Sequence, residues 1–154
     1  MLHENSPTMA ALLWDLDNVT PGHRHMVSLA QTLAAAAPPG CPEFAAGHKS
    51  VCRADRDDLT AAGVTVHDGV RDRNGADRAL VHLAHTLARR HSTRHFLVAS
   101  NDRAFAHLPN TVTITVLTLH PHLVSDLLRA RAIEVVALPH PRAGHQAAAS
   151  SRAS

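Results

Sequence analysis

The sequence predicts an α/β domain in which a mainly parallel sheet lies between two layers of helices. Three observations carry this. Short apolar or β-branched runs alternate with segments of helical periodicity along most of the chain. Several of those runs are apolar throughout instead of alternating, as strands covered on both faces are. The 154 residues make one domain's worth of chain, enough to bury a core without disulfide staples.

In chain order, residues 1–9 read as a flexible leader. The run Ala11–Val19 (ALLWDLDNV) opens apolar and ends polar, as a buried strand running into a loop does. Thr20-Pro21-Gly22 is a turn, and His23–Ala37 is a helix with Met26, Leu29, Ala30 and Leu33 on one face. Pro38-Pro39-Gly40 stops that helix. Glu43–Cys52 is a weaker strand, with Gly47 inside it. Asp55–Ala62 is a short helix closed by Gly63, and Val64–His67 is a short strand. Asp68–Gly75 is a polar loop. Ala76–Arg90 is the strongest helix, with Ala76, Leu80, Leu83, Ala84 and Leu87 along one face and Arg89 and Arg90 in the last turn, where the helix dipole favours cations. Phe96–Ala99 is a compact strand running into Ser100-Asn101-Asp102. Arg103–Leu108 begins a helix broken by Pro109, Val112–Leu119 is a β-branched strand, Leu123–Ala132 a helix and Ile133–Leu138 the last strand. The domain therefore spans 10–138, and 139–154 reads as a disordered tail of Pro, Ala, Ser and Arg.

Composition narrows the function. Charged residues are 18% and the net charge is +2, which excludes an acidic disordered chain and a histone-like basic binder. Aromatics are 3%, with no Tyr, so a platform that stacks bases on aromatic rings is excluded and Trp14 is expected in the core. The 14 histidines are mostly scattered and read as a surface habit that adds positive charge below pH ~6.5. Two neighbouring pairs, His82 with His85 and His120 with His122, lack a third ligand for zinc. Cys41 and Cys52 are too few for a disulfide framework, so a reduced, cytoplasmic protein is expected. No apolar run reaches the ~18 residues of a membrane span, and the N-terminus has no secretory pattern.

In a parallel sheet with right-handed crossovers, ligands bind beyond the strand C-termini. In this sequence those ends are acidic. The first strand delivers Asp15, Asp17 and Asn18, the fourth delivers Ser100, Asn101 and Asp102, and Asp77 opens the long helix. Asp15 and Asp17 are two apart, so on an extended strand they share a side. Each acid also has a bland explanation: Asp77 as a helix-start charge and Asp102 as an N-cap. Converging carboxylates must be protonated, paired or neutralised, and hard oxygen ligands suit Mg²⁺ or Mn²⁺. Arg71, Arg73, Arg78 and Arg103 fall near this edge, and of these Arg73, Arg78 and Arg103 are the candidates for holding phosphates. Arg89, Arg90 and Arg94 read as a solvated face, and Lys49 sits on or after the second strand.

The blocks LLWDLDNV, NGADRAL and FLVASNDRAF, in this order and spacing, resemble the NYN branch of the PIN-like nucleases over residues 11–138. The resemblance implies a Rossmann-like three-layer α/β/α sandwich and metal-dependent hydrolysis of RNA, single-stranded or structured, to 5′-phosphate and 3′-hydroxyl ends. It implies Asp15, Asp77 and Asp102 as ligands of Mg²⁺ or Mn²⁺, with Asn18 as polar partner of Asp15 and Ser100 orienting Asp102. The family's second aspartate in the last motif falls on Ala104, which removes one carboxylate and leaves Asp17, Asp72 or Asn101 to compensate. Two alternatives stand. One is a PIN-like domain that binds RNA or protein without cutting. The other is a haloacid-dehalogenase-like phosphatase, whose D-x-D-x-[TV] motif fits Asp15 to Val19 but whose later lysine and acid pair are missing. Oligomeric state is left open, a homodimer included.

Overall fold

The computed structural model describes residues 9–67 and 75–141. The expected leader and tail, apart from residue 9 and residues 139–141, lie outside the described residues, as does the expected polar loop up to residue 74. The elements in order are β1 (Ala10–Asp15), α1 (Met26–Ala36), β2 (Glu43–Ala46), α2 (Lys49–Ala61), β3 (Val64–Val66), α3 (Gly75–Arg90), β4 (His95–Ala99), β5 (Thr113–Thr118), α4 (Asp126–Arg131) and β6 (Glu134–Ala137). Single 3-10 turns lie at His23–His25, Arg103–His107 and Pro121–Leu123.

All strand pairs are parallel, in the order β3-β2-β1-β4-β5-β6. The chain steps outward from β1 to β3, then returns to β4 and steps outward the other way. With crossovers of one hand, that reversal puts the later helices on the opposite face. The core divides accordingly. Ala10, Leu12 and Trp14 of β1 pack with Met26, Leu29, Ala30 and Leu33 of α1 and with Cys52 and Leu59 of α2. Ala11 and Leu13 pack with Ala76, Leu80, Ala84 and Ala88 of α3 and Leu128 of α4. The sequence therefore yields a three-layer α/β/α sandwich of Rossmann-like type with a wholly parallel sheet.

Several element boundaries differ from expectation. β2 ends at Ala46, and α2 begins at Lys49 instead of Asp55, so Cys52 and Lys49 are helical. The backbone must turn at Gly47, where an added Cβ would stand 2.8 Å from Leu16 Cβ, and His48 caps α2 by accepting Ser50 N–H at Nδ1. The segment after Asp102 is a 3-10 turn rather than a helix. The helix expected over 123–132 is a 3-10 turn followed by α4, capped by Ser125. Neither Cys41 nor Cys52 forms a disulfide. No described helix is long and apolar enough to cross a membrane.

Candidate active site

The strand order reverses between β1 and β4, so the crevice beyond their C-termini is the natural ligand site. Strand parity decides which side chains enter it. Asp15 follows Ala11 and Leu13 at period two, and Ser100 follows Phe96 and Val98, all on the α3 face. α3 packs across β1 and β2, which sets its first turn, with Asp77, over the end of β1. The 3-10 turn after Asp102 packs on α3 and α4 and carries Asp102 to the same place.

The hydrogen bonds fix these groups. Asp15 Oδ1 accepts Asp17 N–H at 3.2 Å, and the Ser100 hydroxyl donates to Asp15 Oδ2 at 3.5 Å. Ser100 Oγ also accepts Asp102 N–H at 3.1 Å, so one hydroxyl links both carboxylate loops. Asn18 Oδ1 accepts Asn101 N–H at 2.6 Å and ties the loop after β1 to the loop after β4. Asp102 Oδ1 accepts Ala104 N–H at 2.8 Å, so the helix-cap role expected of Asp102 is present. Asp77 Oδ1 accepts Arg78 N–H at 2.9 Å.

The electrostatics are those of crowded acids. Asp15 is only 5% exposed, and Asp77 is 7% exposed. Burial pushes Asp15 up to about 7; the Asp17 amide opposes this, and the charges of Asp17, Asp77 and Asp102 add to it. Burial also raises Asp77, and the neighbouring Asp102 charge raises it further. Among the described residues no group of three or more His, Cys, Asp or Glu side chains is arranged to hold a metal ion. A cation here would be bound directly by fewer than three of these carboxylates as they stand, with water in the rest of its shell.

The structure gathers Asp15, Asp77, Asp102, Ser100 and Asn18 at one edge, while Arg73, Arg71 and Asp72 lie outside the described residues. Arg78 and Arg103 are exposed and directly follow Asp77 and Asp102. Asp17 corrects an expectation. β1 ends at Asp15, the chain turns with Asn18 and Val19 N–H bonding Asp15 O, and the Asp17 carboxylate points to His48 N–H at 2.9 Å. Asp17 therefore contributes charge but does not share a side with Asp15. Asn101 does not compensate for Ala104 either, because its Oδ1 takes the Thr118 hydroxyl at 2.6 Å. Ala104 offers the edge only its backbone N–H. Lys49 is exposed at the start of α2, and the Asp17 carboxylate that a phosphoaspartate mechanism would use as acid/base is engaged by His48 N–H.

Two features went unread in the sequence. His48 is an unusual cap, and Arg131 bonds four carbonyls, those of Ala106, Leu108, Pro109 and Val112, at 2.7–3.1 Å. Trp14 is fully buried, and its Nε1–H donates to Val19 O at 2.8 Å. His82, His85, His120 and His122 are all exposed. No family model, curated protein or solved structure matches this chain.

Proposed function

We propose that this edge holds a divalent cation, Mg²⁺ or Mn²⁺, and hydrolyses RNA phosphodiester bonds. One observation carries the reading: Asp15, Asp77 and Asp102 converge from three elements at the reversal in strand order, close enough that Asp77 and Asp102 raise the pKa of Asp15 and Asp102 raises that of Asp77. Such crowding costs stability in the cation-free protein and is what a hard cation relieves. Bound there, the cation would acidify water and offset charge on the phosphoryl oxygens. The chain's own residues supply the rest. Asp15, Asp77 and Asp102 hold the cation, Ser100 orients Asp15 and the Asp102 loop, and Asn18 joins the two loops. Arg78 and Arg103, with Arg73, bind flanking phosphates. The choice of RNA rests on the resemblance of the three blocks to the NYN nucleases.

Calorimetry with Mn²⁺ on the wild type and Asp77→Asn tests the cation site; binding that collapses in the variant is expected. RNA cleavage should vanish in Asp15→Asn and in Asp102→Asn, and cleavage at the wild-type rate in either would overturn the assignment. Ala104 favours a second reading, a domain that binds RNA without cutting. Folded wild type that binds RNA but not Mn²⁺ would establish that one instead.

A further inference from the structure

A cavity of about 270 Å³ opens beside the first turn of α2, apart from the acidic edge. It is lined by apolar side chains, Met26, Val51 and Ala54, and by polar ones, Thr20, Ser50, His23 and Asp55. Asp55 is the unusual member. It is 4% exposed, on the buried side of a helix, yet it is not part of the acidic edge. Its Oδ1 is held by His23 Nδ1 at 2.6 Å, and no other bond to it stands among the described residues. A carboxylate has about four lone-pair sites, so acceptor capacity remains where Asp55 lines the cavity.

The cavity is joined to the acidic edge by a short run of contacts. Asp17 N–H bonds Asp15, Asp17 Oδ1 takes His48 N–H, and His48 Nδ1 meets Ser50 Oγ at 2.9 Å on the cavity wall. Its volume falls just below the ~300 Å³ at which ordinary small-ligand pockets begin, the scale of a base and not of a whole nucleotide. Apolar side chains together with a carboxylate suit a ligand with an apolar face that carries adjacent N–H donors. Among RNA bases only guanine offers two, N1–H and N2–H₂; adenine and cytosine offer one amino group, and uracil flanks its single N–H with carbonyls that a carboxylate repels.

We propose that this cavity is a guanine pocket, in which the Watson–Crick edge of one base of the bound strand lies on the Asp55 carboxylate and His23 positions that carboxylate. The proposal rests on the RNA reading for its ligand, but its test is binding alone. Guanosine, adenosine, cytidine and uridine 5′-monophosphates are titrated into the full chain with divalent metal chelated. The guanine nucleotide should bind roughly tenfold tighter than the others. Asp55→Asn should abolish that preference. Ala54→Leu, at an exposed helical position, should block the cavity without touching the core and keeps the test open if the Asp55 variant does not fold. Asp102→Asn should leave the preference unchanged. Equal binding of all four nucleotides, a preference that survives Ala54→Leu, or equal competition by methylguanidinium, which carries the donors without a purine, would overturn it. A chain that prefers the guanine nucleotide but never cuts RNA would keep the pocket and lose the nuclease reading. Metal-dependent cutting with no nucleotide preference would do the reverse.

Discussion

At the residue scale, Asp15 sets the pH behaviour of the cation-free protein. Its pKa is about 7 in the folded chain and near 3.9 in an unfolded one. Below pH ~3.9 both states hold the proton and the group has no effect on the slope. Between pH ~3.9 and about 7 the folded state holds the proton that the unfolded state has lost, so stability falls as pH rises; above that range the slope ends. Asp15→Asn should remove this decline and leave the cation-free protein more stable at pH 8 by roughly 1–3 kcal/mol. Urea melts of both proteins from pH 4 to pH 8 decide it, and parallel curves would contradict the burial argument. Gly47 gives a second prediction. A methyl there would meet Leu16 Cβ at 2.8 Å and Asp17 Oδ1 at 3.3 Å, so the turn after Asp15 must move. Gly47→Ala should cost about 1–3 kcal/mol and weaken Mn²⁺ binding together. A thermal melt paired with a Mn²⁺ titration checks both, and an unchanged melting temperature would show that the turn yields freely.

At the element scale, the loop that carries Asp102 is held by α4, its neighbour on the same face of the sheet. Arg131, at the end of α4, gathers four carbonyls of the segment 106–112. Arg131→Met keeps the length of the stem but leaves those carbonyls without their donor, at a cost of roughly 2–3 kcal/mol. The 3-10 turn Arg103–His107 should then exchange amide hydrogens faster than β4 does, and cleavage should fall although no residue of the acidic edge has changed. Equal protection in wild type and variant would remove the clasp from the account. The same scale shows what the sequence could carry. α1 was legible because Met26, Leu29, Ala30 and Leu33 repeat at helical spacing and are all buried. The first half of α2 was not, because Val51 and Cys52 read as strand and His48 is not among the usual caps. Asp15 and Ser100 were legible as polar residues at the ends of apolar strands, whereas Asp17 was misplaced because β1 stops one residue after Trp14 and the turn breaks the period of two. The Asn18–Asn101 and Arg131 bonds join residues far apart in sequence, and no local pattern announces them.

At the scale of the whole molecule, the wholly parallel sheet gathers every strand C-terminus at one edge, and the reversal of strand order opens the crevice there. RNA bound at that edge, as proposed, would meet carboxylates at the centre with Arg78 and Arg103 beside them. Two or three phosphate contacts, from Arg78, Arg103 and Arg73, imply that affinity for single-stranded RNA falls with salt at a slope of about −0.7 per contact. Arg78→Ala and Arg103→Ala should each flatten a log–log salt titration by about that amount. Affinity indifferent to salt would move the RNA to another surface.

Trp14 has one more consequence. It is the single tryptophan of a chain without tyrosine, it is fully buried, and it immediately precedes Asp15. The protein thus carries an intrinsic fluorophore one residue from its acidic edge, with no second emitter of comparable strength. Its emission should be blue-shifted in the folded state, and paramagnetic Mn²⁺ at the edge should quench it where Mg²⁺ does not. Occupancy and unfolding can then be followed in one cuvette, without a label.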